Sequence, residues 1–78
     1  MKQLTEMTIK VENNLKRLRL RKGFTQEKVA RLARISRNAY REIEVGNTTP
    51  NILTALLIAD AMGEDISRLF HIEYIKIK

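Results

Sequence analysis

The chain contains no cysteine and no tryptophan, one histidine, one proline and three glycines in 78 residues. Without cysteine there are no disulfides, no thiolate chemistry and no cysteine-based zinc site. His71 stands alone and cannot assemble a metal site by itself. No apolar run approaches the roughly 20 residues that span a bilayer. The N-terminal stretch has no signal-peptide-like apolar region, so a cytoplasmic protein is expected. Nothing pairs a nucleophile with a base, gathers metal ligands or builds a phosphate-cradling loop, so neither catalysis nor a cofactor is expected. Aromatic residues make up 5% of the chain, too few to suggest the stacking platform of RNA-binding proteins.

What is present is an ordinary globular composition, 44% hydrophobic and 31% charged, which argues against disorder. The length fits one domain with a barely sufficient core. The net charge of +6 is unevenly placed. Residues 13–46 hold ten Lys or Arg and three Glu, a net of +7, and the remainder is close to neutral. A positive field concentrated on one segment is the footprint of a polyanionic partner. A merely solvated basic face would have the same composition.

Within that basic segment, TQEKVARLARISRNAYREIEVG (25–46) reads as two short helices around a four-residue turn. Thr25 caps the first, and Val29, Ala30, Leu32 and Ala33 recur at helical spacing. Ser36 repeats the capping device, and Ala39, Tyr40 and Ile43 supply an apolar side for a helix over 36–45. Arg37, Asn38, Arg41 and Glu42 fall on its other faces, and Gly46 with Asn47 ends it.

GFTQEKVARLARISRNAYREIEVGN resembles the helix-turn-helix of the phage-repressor and Cro-like (Xre) family of bacterial transcription regulators. The carrying residues are the glycine of Gly23, then Thr25-Gln26 and Ala30, followed by the Ser36-started helix ending in Ile43-Glu44 and Gly46. The likeness spans about 14–70. It implies a mainly α, five-helix, lambda-repressor-like DNA-binding domain encoded by a bacterium or phage. It also implies that Arg19 pairs with Glu44, that Gln26 bonds a DNA phosphate, and that Arg37 and Asn38 read bases. Their chemistry agrees: arginine bonds guanine O6 and N7, and asparagine bonds adenine N6 and N7. Arg41 and Glu42, one turn on, complete the base-reading set. The phosphate-facing set joins Gln26 to Thr25, Lys28 and Ser36, and to Asn47, Thr48 and Thr49 beyond the helix. Tyr40 takes a position that is aliphatic and buried in the family, so it is either a core residue with its hydroxyl at the surface or a phosphate contact.

The flanks divide the chain into an N-terminal strand or arm (1–11), the helical domain (12–70) and a C-terminal strand (71–78). Met7, Ile9 and Val11 alternate with Thr8 and Lys10 as in a short strand, although a frayed tail or the lead-in to the first helix fits as well. That helix covers about 12–22, with Glu12 or Asn13 near its start and Val11, Leu15 and Leu18 inward. Pro50 suits the first turn of a helix over 51–62, closed by Gly63. The resemblance places Ile52, Ala55, Ile58, Ala59 and Met62 on that helix's inner pattern. Leu53 and Leu57 stand where the family has polar residues, leaving a patch for the chain's own tail or a second subunit to cover. Asp65 caps a last short helix with Ile66, Leu69 and Phe70 inward. In HIEYIKIK, Ile72, Tyr74, Ile75 and Ile77 form strands readily, and the alternation changes phase at Tyr74–Ile75, which suggests a bulge or two faces in use. Its partner is the first strand, another chain, or both.

Two functions follow. One is a sequence-specific double-stranded DNA-binding regulator, a repressor acting as a homodimer on a palindromic operator, with Leu53, Leu57, Ile72, Tyr74, Ile75 and Ile77 at the dimer interface. The other is an antitoxin or DNA-binding adaptor that uses the apolar helix and tail to hold a separate protein.

Overall fold

The computed structural model describes residues 7–76. Expectations that fall on residues 1–6 and on Ile77 lie outside them. The chain runs through strand β1 (Met7–Asn13), helices α1 (Leu15–Arg21), α2 (Gln26–Ala33), α3 (Arg37–Glu44), α4 (Ile52–Met62) and α5 (Ile66–Leu69), and strand β2 (Phe70–Lys76). Five short helices form a lambda-repressor-like body, and the two terminal strands pair with each other.

Local signals account for most of the helix starts. Thr25 Oγ1 accepts from Lys28 N–H, Ser36 Oγ from Ala39 N–H and Asn51 Oδ1 from Thr54 N–H, at 3.0, 3.0 and 2.8 Å. Asp65 does the same for Ser67. Each satisfies a backbone donor that has no partner inside its helix. Pro50 precedes the Asn51 cap and so lies outside α4, not in its first turn. α1 is shorter than the expected 12–22, because Glu12 and Asn13 extend β1.

The turn between α2 and α3 has three residues, Arg34, Ile35 and Ser36, where four were expected. Arg34 makes this tightness possible by taking a left-handed φ of 63°, the one positive φ at a non-glycine among the described residues. The Ile35 N–H then reaches Ala30 O at 3.0 Å, the signature of a Schellman close, and the Ile35 side chain packs on the core. Left-handed backbone costs about 1–2 kcal/mol outside glycine. Glycine adds about 0.5–1 kcal/mol of unfolded-chain entropy. Arg34→Gly is therefore expected to stabilise the domain by about 0.5–1 kcal/mol, read as a higher urea midpoint with an unchanged slope.

Every helix contributes to one core. Leu15 and Leu18, Val29, Ala30 and Ala33, Tyr40 and Ile43, Ile58, Ala59 and Met62, and Leu69 are all buried. Phe24, Ile35, Leu57, Ile66 and Phe70 close its rim. Four residues read as inward are exposed instead. Val11 lies on the uncovered apolar face of the ribbon, and Ile52 opens α4 one turn before its buried stripe begins at Ala55. Leu32 and Ala39 sit at the edges of stripes centred on Val29–Ala33 and on Tyr40–Ile43.

The ribbon is antiparallel with an unbroken register from Met7↔Lys76 to Asn13↔Phe70. There is no bulge at Tyr74–Ile75; the phase change in the sequence puts residues on two faces. Directly paired residues share a face. The pairs Ile9↔Tyr74 and Val11↔Ile72 therefore make one face apolar, while Thr8↔Ile75, Lys10↔Glu73 and Glu12↔His71 make the other largely charged. Ile75 thus lies opposite to Ile72 and Tyr74.

Candidate nucleic-acid interface

α3 is presented by its two neighbours. The Ser36 cap fixes its start, and Tyr40 and Ile43 fasten one side to the core. Arg37, Asn38 and Arg41 are left exposed. Arg41 Nη1 lies 3.4 Å from both Asn38 Oδ1 and Glu42 Oε2. Glu42 is half-buried, and its Oε1 accepts from Asn47 Nδ2 at 3.2 Å. Its backbone carbonyl takes the amides of Asn47 and Thr48 at 2.9 and 3.2 Å. Glu42 therefore holds the loop that leaves the helix, a role that was not read from its sequence position.

Two clefts flank this helix. One is lined by Gly23, Phe24, Thr25, Gln26, Glu27 and Arg37, together with Arg19 and Leu20, so the start of α2 meets the start of α3. The other is lined by Ile35, Ala39, Glu42, Ile43, Thr48, Thr49, Pro50, Asn51 and Thr54. Thr25, Gln26 and Arg37 thus share one side, and Thr48 and Thr49 the other. Lys28 lies apart from both linings, its Nζ 4.4 Å from the centre of the Phe24 ring in a cation–π contact.

Behind the exposed face sits a buried polar network centred on Glu44. Arg19 engages it in bidentate fashion, Nε to Oε1 at 2.8 Å and Nη2 to Oε2 at 3.0 Å. Arg19 Nη1 also donates to the Phe24 carbonyl at 2.9 Å. Gln26 Nε2 donates to Oε2 at 3.1 Å, and the Tyr40 hydroxyl to Oε1 at 2.8 Å. Each carboxylate oxygen therefore accepts two bonds, as a buried charge requires. Tyr40 is a core residue, as one of its two readings has it, but it is fully buried, so its hydroxyl turns inward to Glu44 and neither reaches the surface nor meets a phosphate. The signal for its role was available in outline: Tyr40 and Glu44 are four apart on one helix and so face the same way.

Electrostatics follows from this packing. Burial pushes the Glu44 carboxyl up, but the bonds from Arg19, Tyr40 and Gln26 and the Arg19 charge outweigh it, leaving a net downward shift. Burial, followed by the bond to Glu44, raises the Tyr40 hydroxyl. Arg19 of α1 and Gln26 of α2 are thereby locked to the C-terminal end of α3.

A family model described as helix-turn-helix matches residues 15–69, from the first residue of α1 to the last of α5. The chain belongs to the Xre-type helix-turn-helix transcriptional regulators. It is 43% identical over 56 residues to an uncharacterized HTH-type transcriptional regulator of Bacillus subtilis (strain 168), YqaF, covering 72% of this chain and 74% of that one. A second from the same organism, YgzD, is 33% identical over 63 residues, covering 81% of this chain and 96% of that one. Membership assigns a DNA-binding, gene-regulating class. No helix among the described residues is long and apolar enough to cross a membrane.

In this Xre-type regulator α2 and α3 are the helix-turn-helix pair. Gln26 has one amide hydrogen committed to Glu44, an inward tie that its position at a helix start did not announce. The residues named for a dimer surface do not form one patch. Leu57 is half-buried against the core, while Leu53 is exposed on α4. Ile72 and Tyr74 share the apolar ribbon face, and Ile75 occupies the other.

Proposed function

We propose that this regulator is a cytoplasmic repressor, bacterial or phage-encoded, that binds a palindromic operator as a homodimer and reads the major groove with α3. The observation that carries this reading is the exposure of Arg37, Asn38 and Arg41 at the start of a capped helix whose opposite side is anchored in the core. Helix-turn-helix proteins meet base edges with the N-terminal residues of the second helix. Thr25 and Gln26 on one side, and Asn47, Thr48 and Thr49 on the other, supply the flanking phosphate contacts. Arg41 extends the base-reading row, and Glu42 supports it by holding Arg41 and Asn47.

A second copy is the occupant that best suits the apolar ribbon face. Ile9, Ile72 and Tyr74 are each more than half exposed, at 59, 57 and 55%, with Val11 at 40%. An isolated two-stranded ribbon is marginal in water and gains from cover. A two-fold axis brings the same face of a second copy onto it and sets two α3 helices about 34 Å apart on one side of the duplex. Two measurements test this. A random duplex library selected with the protein should yield inverted repeats whose half-sites are one helical turn apart. Molar mass in solution at micromolar concentration should be that of a dimer, and Ile72→Lys should return a folded monomer. A wild-type monomer, or selection of no preferred duplex, sinks the reading.

Ile52, Leu53 and Leu56 favour a second use of the surface. All three are exposed on α4, and the ribbon does not account for them. They suit the antitoxin or adaptor function, in which this face holds a different protein; a folded chain that stays monomeric and binds DNA weakly on its own would select that alternative.

A further inference from the structure

Asn13 ends β1 and directly precedes the cap position of α1. Its side-chain amide works in two directions. Oδ1 accepts from Leu15 N–H at 2.9 Å and takes the place of the cap that Asn14 does not supply. Nδ2 donates to the Ile43 carbonyl at 3.0 Å and, at a longer 3.4 Å, to that of Glu44. These are the last two carbonyls of α3, 30 and 31 residues away in sequence.

A helix leaves its last four carbonyls without intrahelical partners. Here Arg41 O accepts from Val45 N–H at 3.0 Å, and Ile43 O from Gly46 N–H at 3.1 Å. Glu42 O accepts from Asn47 and Thr48. Among the described residues, Asn13 is the group that reaches the Glu44 carbonyl. The backbone carrying Asn13 is itself fixed. Asn13 pairs with Phe70 across the ribbon, and the next residue, Asn14, bonds Leu69 O through its N–H at 2.8 Å and Arg68 O through Nδ2 at 3.1 Å. A narrow cleft between the ribbon base and the loop after α3 is lined by Val11, Asn13 and Phe70 on one side and by Ile43, Gly46 and Thr48 on the other.

We infer that Asn13 is a positioning residue for DNA reading, setting from the base of the ribbon where the C-terminal end of α3 and the loop beyond it sit. This rests on the assignment of α3 as the helix that reads DNA. Contacts of this kind hold a recognition element to within about 0.5 Å of its working position. The ribbon on which the second copy is placed is thereby tied directly to the element that meets the duplex.

The test uses the full chain and two duplexes, one recovered by the wild-type protein from a random library and one a scramble of it. Asn13→Asp keeps the acceptor for Leu15 N–H but removes the donor, and it sets a negative charge against the carbonyl end of α3, where the helix dipole disfavours it. Thr8→Asp makes the same charge change on the other face of the ribbon and serves as the control. Asn13→Asp should weaken binding to the selected duplex about tenfold, with the scrambled duplex changing no more than in Thr8→Asp. Amide exchange at Gly46 and Asn47 should quicken about tenfold, while Val29 and Ala30 keep their protection. Asn13→Ser, whose shorter side chain retains an oxygen for Leu15 N–H, replaces Asn13→Asp if that variant does not fold. An unchanged ratio of selected to scrambled binding overturns the inference, as does exchange that rises uniformly through the domain. If the wild-type protein selects no duplex, the DNA reading itself has failed. The exchange rates at Gly46 and Asn47 then decide the placement of α3, and unchanged rates there overturn it.

Discussion

Glu44→Ala is expected to remove a large share of this domain's stability. Removing that carboxylate leaves the Arg19 guanidinium, 7% exposed, with only the Phe24 carbonyl as a partner, and strips the buried Tyr40 hydroxyl of its acceptor. Breaking a buried ion pair from one side costs about 3–5 kcal/mol. A chain of this size has roughly 4–12 kcal/mol in total, at about 0.05–0.15 kcal/mol per residue. Thermal melting followed by circular dichroism should therefore show a shift of tens of degrees or no transition. The Arg19→Met/Tyr40→Phe/Glu44→Met variant, which replaces the three most buried partners with apolar side chains, should recover most of the loss. A Glu44→Ala protein within about 1 kcal/mol of wild type would show that the network contributes little, contrary to the expectation for an orphaned buried charge.

The same network sets an acid limb. The folded Glu44 pKa lies below its ordinary 4.5, because the hydrogen bonds it accepts outweigh burial. Its contribution is therefore fully present above about pH 4.5 and is lost as pH falls through the folded value. Glu44→Gln lacks that contribution at every pH. The gap in melting temperature between wild type and Glu44→Gln should be constant from pH 7 to about 5 and narrow below pH 4.5. Tyr40 acts at the other end. Its raised hydroxyl stabilises the fold below its ordinary 10.0, and that contribution is lost as pH rises past it, a limb that Tyr40→Phe should lack.

How much of this was legible depends on how far apart the interacting residues lie in sequence. The caps at Thr25, Ser36 and Asp65 could be read because a cap and the donor it satisfies are two or three residues apart. Asn51 and Gly63 bound α4 for the same local reason. The Arg19–Glu44 pair, 25 residues apart, came from resemblance alone, since no periodicity links the two. Leu32 and Ala39 were misread because a hydropathy pattern gives the direction of a buried stripe but not its width. The phase change at Tyr74–Ile75 did record two faces in use, but the choice between that and a bulge needed the register. The reach of Asn13 to the end of α3 left no sequence signal, unlike its place near the start of α1. A polar side chain that bonds backbone carbonyls 30 residues away looks, in sequence, like any asparagine beside a helix start. The left-handed Arg34 was equally silent, because glycine marks such turns and arginine does not.

Arg37→Ala and Asn38→Ala should abolish preference for the selected duplex and leave the fold untouched. Both side chains are exposed, and neither belongs to the Glu44 network. A bidentate base contact is worth about 1–3 kcal/mol of discrimination, and a dimer loses it in both half-sites, so each variant should lose about 2–6 kcal/mol of selectivity. Competition between selected and scrambled duplexes reads that difference directly. Arginine could instead spend its charge on a phosphate, and salt separates the two roles. A phosphate contact would lower binding to both duplexes alike and flatten the salt dependence by about one counterion per protomer. A base contact would lower binding to the selected duplex preferentially. Gln26→Ala supplies the contrast, since a neutral phosphate contact should weaken both duplexes by about two- to tenfold without altering the salt slope. If Arg37→Ala and Asn38→Ala kept full selectivity while Gln26→Ala weakened both duplexes, the first turn of α3 would lie against the DNA without reading it, and the sequence would be recognised by Arg41 further along the helix or by duplex shape.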